Sequence, residues 1–257
     1  MSGFDYTTII GRDPKLWLWH VDNVLRNAGL GRDKWDFNVI IYHDEELRKN
    51  GITDELISIC DDNDIFYKLH QEPDKPFIQR LYDCWNMVQE IGKRPHTLRA
   101  GSDQAWSKNS FSNLFAAMSA CPFEAILQVQ TVESLLAGMS RHFMKDFGTT
   151  PDTFNEADFA AFCKEITRDD FFTIDQALAE WGHPTSFSSS LGTPHNRTDG
   201  CSWLQSKEAF TKHGPMPYMD RQWTGDVIIH DRYERAGIPN LLVGNAITYH
   251  LVRGESR

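Results

Sequence analysis

An aspartate in the segment 99–104 (RAGSDQ) is the first residue whose surroundings suggest chemistry. Asp103 follows a predicted helix and a short predicted strand, and the ligands of open parallel sheets bind at the carboxyl ends of strands. A carboxylate at such a strand end can hold a divalent cation against a diphosphate. Aspartate is also common in turns and at helix N-caps, so a purely structural role is the alternative.

A second aspartate, Asp226, stands at the start of a predicted helix that ends at Gly237. At a helix start, an aspartate caps free backbone N–H groups and interacts favourably with the helix dipole. The same carboxylate would be a general base if it faced a cleft within hydrogen-bond reach of an acceptor hydroxyl. The sequence leaves both roles open.

The last predicted strand, 241–251, carries a histidine near its end, and an arginine follows it. The neutral imidazole of His250 can ligate a metal ion, although a histidine in this position is also common as a satisfied structural residue. Arg253 is close enough along the chain to contact a diphosphate or an anionic acceptor at the same place.

These residues need a scaffold, and hydrophobic patterning predicts one. Strands are predicted at 5–11, 37–42, 65–69 and 125–132, and helices from residue 14 to the glycine at 29, at 53–61, 76–92, 109–120 and 153–166. Strands that alternate with helices indicate an α/β fold with a doubly wound, mostly parallel, Rossmann-like sheet and helices on both faces. Residues 183–200 are rich in Ser, Thr, Gly and Pro and are predicted to form a long loop or lid. We expect a single domain over 1–257, with a nucleotide lobe to about 103 and an acceptor lobe from about 104.

Composition excludes several classes of protein. The 257 residues contain no apolar run long enough for a transmembrane helix, and the N-terminus lacks the pattern of a signal peptide. Five widely spaced cysteines fit free thiols in a reducing compartment. A formal net charge of −10 disfavours non-specific attraction to nucleic acid or anionic lipid. We therefore expect a cytoplasmic protein with no membrane partner.

In their order along the chain, these segments resemble the GT-A glycosyltransferases, particularly the large inverting family that includes many bacterial polysaccharide enzymes. Gly11 and Arg12 after the first strand are similar to the family's opening segment, and Asp44 after the second strand is similar to the aspartate that binds uracil or ribose. Arg80 lies where the family has an arginine before its metal motif. Ser102 and Asp103 stand in place of the Asp-x-Asp motif, with Asp103 as its surviving carboxylate.

The resemblance also implies roles in the second half of the chain. Asp226 corresponds to the catalytic base, and His250 to the C-terminal histidine that completes the metal site. The implied activity is transfer of a sugar from a nucleotide diphosphate, by preference a UDP-sugar, with Mn²⁺ or Mg²⁺ held by Asp103 and His250. Asp103, Ser102, Gly11, Arg12, Asp44, Arg80 and Arg253 would bind the donor, and Trp106, Trp203 and Asp226 would lie on the acceptor side.

Two residues depart from the family pattern. Gln104 replaces an acidic residue and weakens the metal prediction, and Gly225 replaces the glutamate before the base. These departures leave two rivals: a non-catalytic nucleotide- or sugar-binding module with a decayed site, and a nucleotidyltransferase.

The expected acceptor is a glycan or a small metabolite. A hydroxymethylated base in phage DNA is the alternative, since compact enzymes of this fold in phages glucosylate such bases. A duplex base has to be flipped out to react, which calls for aromatic residues beside a basic strip. The candidates are Trp106, Trp181, Trp203, Lys93, Arg94 and Arg99.

Overall fold

The computed structural model describes residues 3–42, 45–71, 75–133, 143–169, 171–173, 186–188, 194–196, 202–217 and 225–251. The helices within these ranges are α1 (Pro14–Asn27), α2 (Glu45–Lys49), α3 (Ile52–Asp62), α4 (Phe77–Glu90), α5 (Ser110–Ala120), α6 (Glu156–Ile166), α7 (Lys207–His213) and α8 (Gly225–Arg235). The strands are β1 (Phe4–Ile10), β2 (Trp35–Tyr42), β3 (Phe66–His70), β4 (His96–Arg99), β5 (Gln104–Trp106), β6 (Ile126–Glu133), β7 (Phe143–Met144), β8 (Phe171–Thr173), β9 (Ser186–Ser188), β10 (Pro194–Asn196), β11 (Trp203–Ser206) and β12 (Asn240–His250).

Local sequence explains the best-defined elements. The Asp13 carboxylate accepts a hydrogen bond from Leu16 N at 2.8 Å, and Pro14 occupies the first turn, so α1 begins where the sequence predicts. The helix ends shortly before Gly29, whose φ of +65° favours glycine. β2 is rich in β-branched and aromatic residues and is almost entirely buried, as expected of a strand covered on both faces.

One mixed sheet organises the chain, in the order β3-β2-β1-β4-β11-β6-β12-β5. The pairs β3–β2, β2–β1, β1–β4 and β6–β12 are parallel, whereas β11 is antiparallel to both β4 and β6. Strands β1, β2, β3, β4, β6 and β12 therefore all run in the same direction. Their carboxyl ends lie at one edge of the sheet, which we call the carboxyl edge.

Helices cover both faces of this sheet, which confirms the predicted α/β doubly wound class. A large aromatic cluster that includes Trp17, Phe37 and Phe111 packs on the face covered by α1, α3, α5 and α6. Two smaller clusters that include Val88, Phe210 and Tyr233 pack on the face covered by α2, α4, α7 and α8. The sequence did not predict the antiparallel insertion of β11 between β4 and β6.

The predicted division into lobes at about residue 103 stays a prediction, and strands from both segments enter the same sheet. The described parts of the predicted loop 183–200 are β9 and β10, which pair antiparallel to each other. No described helix combines the length and hydropathy that crossing a bilayer requires.

Candidate active site

The structure brings together two of the predicted site residues that lie 147 positions apart in the sequence. Asp103 precedes β5, His250 ends β12, and these two strands pair with His250 opposite Gln104. The backbone N–H of Leu251 donates to the Asp103 carbonyl at 2.9 Å. His250 Nε2 lies 3.1 Å from Asp103 Oδ2, a distance at which the ring N–H donates to the carboxylate. Both predicted metal ligands therefore meet at the carboxyl edge.

The Asp103 carboxylate is ionised and open to solvent. Burial alone would raise its pKa, but the charge of His250 and the hydrogen bond from it outweigh that effect and hold the pKa below its usual value. The Asp103 side chain is 36% exposed and that of His250 is 23% exposed. An accessible anion beside an imidazole is an arrangement that can accept a cation.

Gly101 leaves room for the Asp103 carboxylate. The sequence analysis did not predict this role of Gly101. A Cβ atom built at this position would lie 2.5 Å from Asp103 Oδ1, a separation that real Cβ atoms do not show. Any side chain at this position would therefore displace the carboxylate. A glycine two residues before a candidate ligand was the available signal.

The pair fits a hard divalent cation that is shared with a substrate. Among the described residues, no group of three His, Cys, Asp or Glu side chains is placed to hold a metal ion. Mg²⁺ and similar ions are commonly bound by one or two protein ligands together with substrate phosphates. Gln104 contributes nothing to the set, because its buried side chain accepts a hydrogen bond from the Ser202 hydroxyl. Its replacement of an acidic residue therefore removes a ligand.

A second group of residues lies along the carboxyl edge at the ends of β1 and β2. The Arg80 guanidinium from α4 stacks on the Tyr42 ring, with its Cζ 4.6 Å from the ring centroid. Arg80 Nε and Nη1 are buried and have no hydrogen-bond partner among the described residues. A Cβ atom at Gly11 would lie 3.0 Å from two Tyr42 side-chain atoms, so a larger residue there would require the Tyr42 side chain to shift by a few tenths of an ångström. Tyr42 was not predicted as a site residue, although it ends a buried parallel strand.

The remaining donor-side predictions are placed less completely. Arg12 is exposed beside the start of α1, and Ser102 is half-buried in the turn before Asp103. Asp44 and Arg253 lie outside the described residues. Asp226 is the second residue of α8, as the sequence predicts, but its side chain lies outside the described part of the chain.

The structure corrects the acceptor-side assignment of both tryptophans. Trp106 is 1% exposed, and its Nε1–H donates to the Tyr6 hydroxyl at 3.2 Å within the core. Trp203 is fully buried, and its ring covers the Arg99 guanidinium at 4.2 Å. Each ring points into a core layer beside the sheet, so neither offers a surface to an acceptor.

The basic strip predicted for a DNA acceptor is not assembled either. Arg99 is buried between the Trp85 and Trp203 rings. Arg94 donates from Nε to Asp36 at 2.6 Å, at the amino end of β2 and therefore at the opposite edge from Asp103. Trp181 lies outside the described residues. The candidates within the described residues therefore do not share a surface at the site.

A cavity of about 880 Å³ lies at that same opposite edge, and Asp5, Asp36 and Phe66 from the first residues of β1, β2 and β3 help to line it. Its volume exceeds what a metal and diphosphate need, but the paired ligands are elsewhere. The carboxyl edge is the better candidate because it holds both Asp103 and His250 and is where open parallel sheets bind their ligands.

Comparison with known proteins supports the fold. No protein-family model and no curated protein sequence matches the chain. Solved structures do match. They include GalNAc-T7 with UDP, GalNAc and Mn²⁺ (12% identity, TM-score 0.60), TarS 1-349 of S. aureus (8%, 0.58), and the Pyrobaculum calidifontis mannosyltransferase PcManGT with GDP-Man and Mn²⁺ (10%, 0.57).

These matches cover 98%, 96% and 98% of this chain, and 44%, 60% and 58% of the respective structures. The chain therefore spans about half the length of the proteins that it matches. It has the GT-A fold of glycosyltransferases, as the sequence predicted.

Proposed function

We propose that this protein is a metal-dependent glycosyltransferase that moves a sugar from a nucleotide diphosphate, by preference a UDP-sugar, to an acceptor hydroxyl. The observation that carries the proposal is the meeting of Asp103 and His250 at the carboxyl edge of a GT-A fold. Two of the matching structures contain Mn²⁺ together with a nucleotide or nucleotide sugar, which supports the same class of donor here.

With His250 Nε2 free of its proton, Asp103 and His250 would hold Mn²⁺ or Mg²⁺ against the donor diphosphate. When bound, the cation neutralises the charge that develops on the leaving diphosphate. The protein's own contribution is an ionised carboxylate and a ring nitrogen fixed on adjacent paired strands, which orients the donor before reaction. Of the two ligands, the charged carboxylate is the stronger contributor.

Arg80 is the proposed contact for the donor's anionic or polar groups. Within the described residues, two buried nitrogens of this guanidinium have no partner, which is costly, and a bound phosphate or nucleotide oxygen would remove that cost. Gly11, Arg12 and Ser102 line the same edge of the sheet. Asp44 and Arg253 are proposed for the donor from their sequence positions alone.

Asp226 is the proposed general base, which would take the proton of the acceptor hydroxyl and give inversion at the sugar carbon. The helix that carries it is tied to the donor side of the protein. Arg232 of α8 donates to the Pro215 carbonyl at 2.8 Å, and the neighbouring Met216 exchanges two hydrogen bonds with Asn86 of α4. Since α4 also carries Arg80, donor and acceptor elements are braced against each other.

The acceptor that we propose is a hydroxyl of a glycan or small molecule. A hydroxymethylated DNA base receives no support from the described aromatic and basic candidates: Trp106, Trp203 and Arg99 are buried, and Arg94 lies at the opposite edge. A binding module without turnover would keep the metal pair but lack sugar transfer. A nucleotidyltransferase would instead accept a nucleoside triphosphate and release pyrophosphate.

The test is calorimetric titration of UDP with and without Mn²⁺. Asp103→Ala should abolish the Mn²⁺-dependent gain in UDP affinity, whereas His250→Ala should reduce it less, because it removes a neutral ligand. Asp36→Ala is the matched control, since it removes a partly exposed carboxylate that pairs with Arg94 at the opposite edge of the sheet. Unchanged Mn²⁺-dependent affinity in folded Asp103→Ala protein would overturn the assignment.

A further inference from the structure

The edge strand β5 is held by side chains of α1 where a neighbouring strand would otherwise bind. Among the described strands, β5 pairs only with β12. On its other side, the Gln104 carbonyl accepts a hydrogen bond from His20 Nδ1 at 3.1 Å, and the Trp106 backbone N–H donates to Asn23 Oδ1 at 2.7 Å. His20 and Asn23 are three residues apart on one face of α1 and are both buried, at 0% and 1% exposure. Together they bond the outward-facing Gln104 carbonyl and Trp106 N–H of this three-residue strand.

These contacts form a closed ring of hydrogen bonds whose directions are fixed. A carbonyl can only accept, so His20 Nδ1 carries the proton that reaches Gln104. Burial keeps the His20 imidazole neutral, so its Nε2 carries no proton and accepts a hydrogen bond from the Tyr6 hydroxyl at 2.8 Å. The Tyr6 oxygen in turn accepts a hydrogen bond from Trp106 Nε1 at 3.2 Å. Because Trp106 and Gln104 both belong to β5, the ring of hydrogen bonds closes through this strand. Each of these groups can therefore act only as the donor or acceptor that the ring requires of it.

The other side of β5 is bonded to the metal pair. The Asp103 carbonyl accepts a hydrogen bond from the Leu251 backbone N–H. The Asp103 carboxylate is hydrogen-bonded to the side chain of His250, the residue before Leu251. Displacement of β5 away from β12 would therefore separate the two candidate ligands. The side chains of His20 in α1 and Tyr6 in β1 act on the Gln104 carbonyl, which belongs to the residue directly after Asp103.

We propose that His20 and Tyr6 are positioning residues that hold β5 against β12 and thereby fix Asp103 beside His250. The consequence for metal binding rests on the proposed function, whereas the effect on the β5–β12 pairing does not. Neither residue touches a substrate or reacts. In metal sites, removal of a residue that orients a ligand typically lowers metal affinity about 10- to 100-fold.

The first readout needs no metal. Amide hydrogen exchange is measured at Leu251 and at Ile41 of β2 in the parent, in Tyr6→Phe and in His20→Leu. The smaller change, Tyr6→Phe, keeps the aromatic ring, so it serves if His20→Leu does not fold. We expect protection of the Leu251 amide to fall at least about 10-fold, with Ile41 little changed. Tyr233→Phe is the matched control, because it removes one buried phenol hydrogen bond, to Gln205, elsewhere in the fold.

The second readout is Mn²⁺ affinity in the presence of UDP, measured from the signal of free Mn²⁺ in electron paramagnetic resonance. Tyr6→Phe and His20→Leu should weaken it about 10- to 100-fold. His20→Asn should restore part of what His20→Leu loses, since an asparagine amide can still donate to the Gln104 carbonyl but leaves the Tyr6 hydroxyl without its acceptor. Tyr233→Phe should bind Mn²⁺ like the parent.

The outcomes separate the two claims. Unchanged Leu251 protection in Tyr6→Phe and His20→Leu overturns the positioning role, whatever the metal does. A parent that binds no Mn²⁺ overturns the metal site of the proposed function, and the exchange data alone then decide the positioning role. An equal loss of Leu251 protection in Tyr233→Phe would also overturn it, because the effect would then be general destabilisation.

Discussion

Acidification should destabilise this protein through the buried ring of His20. Burial lowers the pKa of His20 from 6.5 to about 4, and the hydrogen bond to the Gln104 carbonyl only partly opposes that shift. Between those two values, the unfolded chain binds a proton at this histidine and the native protein does not. The contribution of His20 to the free energy of unfolding is therefore fully present above pH 6.5 and is lost as the pH falls toward 4.

The pKa difference sets the size of the effect. A shift of this size corresponds to about 3 kcal/mol in total, and about 2 kcal/mol of it is lost by pH 5. The neighbours of the ring are Tyr6, Trp17, the Gln104 carbonyl and, at longer range, Asp103. The negative charge of Asp103 favours the protonated ring, but less than burial disfavours it.

The assay is urea denaturation from pH 7.5 to 5 for the parent and for His20→Asn. The variant keeps a donor for Gln104 but has no group that titrates in this range, so it subtracts the contribution of all other groups. The parent should lose about 2 kcal/mol more than the variant over this interval. Parallel curves for the two proteins would refute the reasoning, because the native histidine would then titrate like an unfolded one.

Two further substitutions test other parts of the account. Asp226→Asn should keep UDP-sugar affinity and lower turnover about 10²- to 10⁴-fold, because an amide cannot accept the proton. Parental turnover would instead leave Asp226 as a first-turn residue of α8 whose charge interacts favourably with the helix dipole and takes no part in the reaction. Asp5→Asn should cost about 3 kcal/mol in urea denaturation, because the buried Asp5 carboxylate neutralises Lys207 Nζ at 2.7 Å. A loss below about 1 kcal/mol would place this pair among weak surface ion pairs.

Local patterning predicted most of the elements that position the site. Asp13, Pro14 and Gly29 delimit α1 because capping, a fixed φ and a positive φ are local properties. The alternation of buried strands and amphipathic helices predicted the doubly wound class for the same reason. Hydrophobic periodicity did not predict that α1 buries the polar His20 and Asn23, whereas Leu25 of the same helix is 39% exposed.

What local patterning missed depends on contacts distant in sequence. Nothing near Trp106 or Trp203 distinguishes a ring that fills a core from one that lines an acceptor surface. The pairing of β11 joins Trp203 to Arg99 of β4 and to Gln128 of β6, residues far apart in sequence, so no local signal sets its direction. Asp103 and His250 were paired only through the resemblance to GT-A enzymes. The bond from His20 to β5 follows from the packed fold and has no separate sequence signature.

The most direct test of the central claim is sugar release from a panel of nucleotide sugars, with and without Mn²⁺, by the parent and by Asp103→Ala. The account predicts that the parent releases nucleoside diphosphate from at least one donor, preferably a UDP-sugar, only when Mn²⁺ is present. It predicts that folded Asp103→Ala does not. Release that is independent of Mn²⁺ and unaffected by Asp103→Ala, or binding of donors with no release in the presence of candidate hydroxyl acceptors, would contradict a metal-dependent glycosyltransferase.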